Sequence, residues 1–98
     1  MQTFTTGDTQ KLTAKFTDFD NTTLIDPDKV KVAIYDANFK VLNTYTGIEA
    51  NKTSTGNYFM YYTPTAPGRY IVEWYGEKNS MPSISRKWFA VENIVEGD

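Results

Sequence analysis

Apolar and polar residues alternate along this chain in short runs separated by turn-forming clusters, and no helical period is sustained for long. Residues 1–6 are Thr-rich and alternating, which predicts a first edge strand, and Gly7-Asp8 interrupts it as a bulge or turn would. Residues 10–17 place Leu12, Ala14 and Phe16 on one face and Lys11, Thr13 and Lys15 on the other, the period-2 signal of a strand with one wet side. Residues 18–23 are turn-rich, and Leu24-Ile25 are expected to tuck inward. Asp26-Pro27-Asp28 predicts a turn, because the proline ring disfavours helix at the residue before it. Residues 29–36 form the next expected strand, with Val30, Val32 and Ile34 inward and Lys31, Ala33 and Tyr35 outward. Residues 37–40 predict a short hairpin turn into a strand at 41–46, whereas residues 47–53 are polar and carry no clear pattern.

The most informative stretch is STGNYFMYYTPTAPGRYIVEW, residues 54–74. Ser54-Thr55-Gly56-Asn57 predicts a turn, residues 58–63 an aromatic strand, Pro64-Thr65-Ala66-Pro67-Gly68 a breaker, and residues 69–75 another strand. In an immunoglobulin-like sandwich these are strands E and F, and a tyrosine near the start of F bonds back to the backbone of the corner. Tyr70 occupies that place, and Val72 stands where an antibody domain carries its second cysteine. Residues 76–83 read as a polar loop containing Pro82. Residues 85–92 read as the closing strand, with Lys87, Phe89 and Val91 on the inward phase and Arg86, Trp88 and Ala90 outward. The expected fold is therefore all-β: a single immunoglobulin-like β-sandwich of about seven antiparallel strands in two sheets. It is expected to span residues 1–95, followed by a loose acidic tail at 96–98.

Composition narrows the function class. Ninety-eight residues make one domain, and without cysteine neither disulfides nor thiolate metal sites contribute. The lack of histidine removes the common serine and cysteine triads and histidine-based zinc sites. Glycines stand singly, so no phosphate-cradling loop is expected. A net charge of −2 and a pI near 5.0 leave no nucleic-acid footprint. No apolar run nears the ~20 residues of a membrane span, and the first residues lack the basic and apolar regions of a signal peptide. Paired carboxylates could still act as acid and base, but the acids lie mostly in turns. The chain is expected not to be an enzyme and to carry no cofactor.

Three constellations remain. Asp18, Asp20, Asp26 and Asp28 line the loop between the second and third expected strands. Converging carboxylates suit calcium, yet aspartate in turns commonly caps its own backbone, and the spacing lacks the glycine and terminal glutamate of an EF-hand. The second constellation is aromatic. Tyr35, Ile71, Tyr75 and Trp88 are expected on the outer face of the C–F–G sheet, rimmed by Lys31, Glu73 and Arg86, as in a protein-binding patch. The rival reading is cross-strand pairing that merely stabilises the sheet, or cover by Lys and Arg stems. Phe59 and Tyr61 raise the same question on the other sheet, because Tyr58, Met60 and Tyr62 already make the opposite face of that strand apolar. The third consists of the triplets Asn21-Thr22-Thr23 and Asn51-Lys52-Thr53, which match glycosylation acceptors and are expected by chance in a Thr- and Asn-rich chain.

The strings LIDPDKVKVAIYDANFKVL, STGNYFMYYTPTAPGRYIVEWYG and SRKWFAVEN resemble small Ig-like proteins of tailed bacteriophages, encoded among head and head–tail genes. The shared elements here are Asp26-Pro27-Asp28, Tyr35-Asp36, Ser54-Thr55-Gly56 with Tyr58, Tyr62-Thr63-Pro64, Pro67-Gly68 with Tyr70, Glu73-Trp74, and Phe89 with Val91. Bacterial Ig-like and macroglobulin-type domains share some of these elements inside longer chains, and a domain starting at its own Met1 fits the phage proteins better. Phe59 and Tyr61 depart from the pattern, which has polar residues there, and this hints that the outer face of strand E is covered in an assembly. The resemblance implies a non-enzymatic virion structural protein, made in the host cytoplasm. It would be a capsid decoration or head-associated module binding a capsid or head–tail protein through an apolar outer sheet face. Candidate contacts are Tyr35, Phe59, Tyr61, Ile71, Tyr75 and Trp88, with Tyr70 as the structural corner. Homo-oligomers on the particle are compatible with it, while nucleic-acid and membrane partners are not expected. The alternatives are a carbohydrate- or host-surface-binding adhesin module, making glycan contacts through Tyr and Trp, and a spacer domain of a surface protein.

Overall fold

A computed structural model describes residues 2–20 and 22–93, the Ala50 side chain excepted. The domain end expected at residue 95, the tail at 96–98, Met1 of the first strand and Asn21 of the first glycosylation triplet lie outside the described residues. Among the described residues eight strands follow in order: β1 (Gln2–Thr5), β2 (Gln10–Lys15), β3 (Lys29–Asp36), β4 (Val41–Tyr45), β5 (Lys52–Ser54), β6 (Asn57–Tyr62), β7 (Gly68–Lys78) and β8 (Met81–Glu92). They form a five-stranded sheet, β1-β8-β7-β3-β4, packed on a three-stranded sheet, β2-β6-β5. This is the immunoglobulin-like sandwich, with β6 and β7 as the E and F strands on different sheets. All strand pairs are antiparallel except β1 with β8, which is parallel.

The core follows from the period-2 alternation. Val30, Val32 and Ile34 of β3, Val72 and Trp74 of β7, and Phe89 and Val91 of β8 meet Leu12, Tyr58 and Met60 from the smaller sheet and Phe16 just after β2. Each large side chain fully buried in this way contributes about 1.5–3 kcal/mol. At one end Phe89 stacks on Tyr70 at 5.5 Å and meets Phe4 and Tyr62 at 5.2 and 6.2 Å. The Tyr70 hydroxyl donates to the Ala66 carbonyl at 2.7 Å and closes the corner between β6 and β7. At the other end Phe16 packs edge-on to Tyr58 at 5.5 Å. A Cβ at Gly76 would lie 2.5 Å from the Phe16 ring and 3.0 Å from Pro27, so glycine there lets the ring lie on bare backbone.

Three expectations need correction. Residues 76–83 are not a loop: β7 and β8 run on to a two-residue turn at Asn79-Ser80, both with positive φ (53° and 63°). That left-handed pair matches the twist of a tight hairpin, and the arm helps make the domain 52 Å long against 27 and 23 Å across. Pro82 is tolerated because Lys78 and Met81 close the turn as a hydrogen-bonded pair, so by alternation the position of Pro82 faces away from β7. Residues 47–53 hold a 3-10 turn, Ile48–Ala50, whose Ile48 is buried in the core, and most of β5. Finally, Ile25 packs against the core as expected, but Leu24 stays exposed and bridges Thr17.

Candidate functional site

Strand register decides which outward side chains meet. Val41, Tyr35, Ile71 and Trp88 are direct neighbours across β4, β3, β7 and β8, so one apolar row crosses four strands of the larger sheet. Val41 reaches the row because Leu42 is an extra residue in β4: Tyr35 pairs with Val41 while Ile34 pairs with Asn43. Ile71 was expected to be a contact residue, and this is corrected. It is only 1% exposed although it lies outside the core cluster. Its cross-strand neighbours Tyr35 and Trp88 close over it, so it is the floor of the patch. Trp88 is 44% exposed and offers the contact surface.

Beside Tyr35 stands Phe39, at the tip of the β3–β4 hairpin, 59% exposed with its ring 6.2 Å from the Tyr35 ring. Its φ is 61°, a left-handed conformation that costs a residue with a Cβ about 1–2 kcal/mol. Asp36 holds the tip: its carboxylate accepts from the Asn38 and Lys40 amides at 2.8 and 2.9 Å, and its carbonyl accepts from the Phe39 amide at 3.1 Å.

The next rows along the sheet, Ala33–Glu73–Arg86 and Lys31–Tyr75–Ile84, carry charged residues. Arg86 Nε donates to Glu73 at 2.6 Å, and the Tyr35 hydroxyl donates to the other Glu73 oxygen at 3.3 Å. Burial and the adjacent Glu73 push the Tyr35 hydroxyl above the usual tyrosine pKa. One row further, Lys31 lies 4.5 Å over the Tyr75 ring, and the Tyr75 hydroxyl donates to Glu77 at 2.9 Å, which raises its pKa. Tyr75 lies on the expected outer face but is separated from the apolar row by the Glu73–Arg86 pair.

Phe59 and Tyr61 lie on the outer face of the smaller sheet, one position apart on the same side of β6, with rings 5.6 Å apart. Lys11 of β2 lies 4.9 Å over the Phe59 ring, while Tyr61 is 61% exposed. The six candidate residues therefore do not form one site: Tyr35, Ile71 and Trp88 meet, Tyr75 stands off, and Phe59 and Tyr61 belong to the other sheet. Two further patch residues, Val41 and Phe39, were missed. Their places depend on the β4 bulge and on a backbone conformation, for which the sequence carries no plain signal.

The aspartates do not converge. Asp26 accepts from Lys52 at 2.7 Å, the Gly56 amide at 2.9 Å and the Tyr58 hydroxyl at 3.1 Å. These donors hold its carboxyl down at about 2, and burial together with the Asp26 bond pushes the Tyr58 hydroxyl up to about 12. Asp28 accepts from Lys78 and the Asn79 amide and so braces the hairpin arm, while Asp20 is held by Thr22 and Thr23 within its own turn. Among the described residues no group of three or more acidic side chains is placed to hold a metal ion. No family model, curated protein or solved structure matches the chain.

Proposed function

We propose that this chain is a non-enzymatic virion structural component of a tailed bacteriophage, a capsid decoration or head-associated module. It docks on a capsid or head–tail protein through the outer face of its five-stranded sheet. The observation that carries this reading is the apolar row Val41–Tyr35–Ile71–Trp88, with Phe39 held beside it in a costly backbone conformation. The resemblance of the sequence strings to phage Ig-like proteins supports the setting. A partner seated on Trp88 and Phe39 removes apolar surface from water at about 25 cal/mol per Å². Aromatic anchors near the centre of an interface carry most of such energy, and the charged rows around them exclude wrong partners rather than add affinity.

The test is the mass and stoichiometry of this chain in purified virus particles before and after a salt wash. A fixed ratio to the major capsid protein that survives the wash supports docking. Absence from the particles sinks the reading and promotes the adhesin or spacer alternatives.

A further inference from the structure

The open side of the sandwich, between β8 and β2, holds a feature that the outer-face reading does not use. Among the described residues β1 pairs with β8 from Phe89 to Glu92, with Gln2 opposite Phe89. Residues 81–88 pair with β7 on one side and, among the described residues, with no strand on the other. The tight turn makes Lys78 and Met81 a hydrogen-bonded pair, so the main-chain groups of Ile84, Arg86 and Trp88 point away from β7. Beneath the Lys87–Phe89 end of this edge lies a groove of about 630 Å³, lined by Leu12, Val72 and Trp74 and by Gln2 and Phe4 of β1, and walled by Lys11 and Lys87. An adjoining hollow of about 370 Å³ shares both lysines and adds Lys15. No acidic side chain lines either space, although the chain carries a net charge of −2. Among the described residues the ion pairs involve Lys52, Lys78 and Arg86 and none of these three lysines, although Lys11 also lies over the Phe59 ring.

We propose that the β8 edge from Ile84 to Trp88 receives an extended acidic segment of a partner protein. The segment adds as a strand along β8 on the side away from β7, and its carboxylates meet Lys87, Lys11 and Lys15. A row of unpaired N–H and C=O groups is satisfied by another extended backbone, and pockets for alternate side chains then set the choice of strand. Here those pockets are apolar below with lysines at the walls, which selects a segment carrying both acidic and apolar residues. A second copy of the same edge is a poor occupant. Pairing β8 with itself gathers Arg86 and Lys87 of both copies, and like charges across a ladder are destabilising. Pro82, with no N–H to offer, ends the ladder on the side of the hairpin tip. Inward-pointing lysine and edge proline are also devices against self-association. On this edge they repel a copy and leave an acidic strand free to bind. The inference goes beyond the outer-face reading and stands or falls separately from it.

The test uses the full chain and a soluble synthetic peptide of alternating Glu and Val, followed by amide hydrogen exchange and titration. The expected result is new protection at the amides of Ile84, Arg86 and Trp88, with little change at Ser85 and Lys87, whose amides already face β7. Lys11→Glu with Lys87→Glu should weaken binding at least tenfold. Ile84→Pro, which removes an outward N–H, should abolish binding, while Ile84→Ala should keep it. If Ile84→Pro does not fold by circular dichroism, the protection pattern of the unaltered chain decides alone. No binding at millimolar peptide, or binding without new protection at those amides, overturns the proposal. So does tighter binding of a single-stranded oligonucleotide that protects none of them, which would mark the lysines as a general anion site.

Discussion

On the five-stranded sheet four outward apolar residues, one from each of four strands, meet in one row, whereas on the three-stranded sheet they come from β6 alone and lie along it. A row across strands builds continuous surface, because direct cross-strand neighbours have Cβ atoms only about 4.5–5.5 Å apart. It can also shut out water from its own middle, as the burial of Ile71 shows. Two residues along one strand offer a narrower strip, and a single lysine, Lys11, reaches across to cover Phe59. The width of a sheet thus decides whether outward aromatics become a docking surface or are closed over by their neighbours. That is why we place docking on the larger sheet and read Phe59 as covered within its own domain.

The largest expected effect comes from cutting the floor of the row. Ile71→Ala should cost about 2–4 kcal/mol in urea unfolding despite its outward phase, because it empties a closed site. The matching truncation on the other sheet, Tyr61→Ala, should stay within about 0.5 kcal/mol, as most surface substitutions do. Equal costs at the two positions would erase the contrast.

A second prediction concerns what holds the smaller sheet. Asp26 clamps the β5–β6 turn through Lys52, Gly56 and Tyr58, and those donors lower its carboxyl from 3.8 to about 2. A depressed folded value means stability that is present above the unfolded value and is lost as pH falls from about 3.8 toward about 2. Asp20, lowered to about 2 by Thr23 and Thr22, loses its share in the same window. Asp26→Asn should therefore be less stable at neutral pH and show a shallower loss on acidification. Urea midpoints at several pH values check this, and parallel curves for the two proteins would refute the clamp.

The smallest effect separates folding from docking within the larger face. Phe39→Gly relieves the left-handed backbone, and after the added chain entropy of glycine the variant should gain about 0.5–1 kcal/mol in unfolding. The same change should weaken binding to particles. A loss of stability would mean that the Phe39–Tyr35 contact serves the fold, and the conformation would lose its value as support for docking.

Much of this was legible in the sequence, and the failures have particular causes. The alternation of residues 29–36 gave the right faces, and P-G-x-Y marked the corner where the Tyr70 hydroxyl reaches Ala66. The hairpin arm was hidden because Gly76 and Pro82 look like breakers and Asn79-Ser80 is not the usual Asn-Gly turn. Gly76 is there because the Phe16 ring leaves no room for a Cβ, and Pro82 because its missing N–H faces outward. Phase told which way Ile71 points but not that it is buried, since that depends on which residues of β3 and β8 come to stand beside it. Lys87 on an inward phase was visible from the start, yet only the packing of the two sheets shows that it walls a groove.

The most direct test of the central claim compares the unaltered chain with Trp88→Ala for retention on purified virus particles after a salt wash, with both proteins shown to be folded. The account predicts that the unaltered chain stays at a fixed ratio to the capsid protein and that the variant binds weaker by about 2 kcal/mol or more, so that most of it washes off. Equal retention of the two proteins would contradict docking through this face.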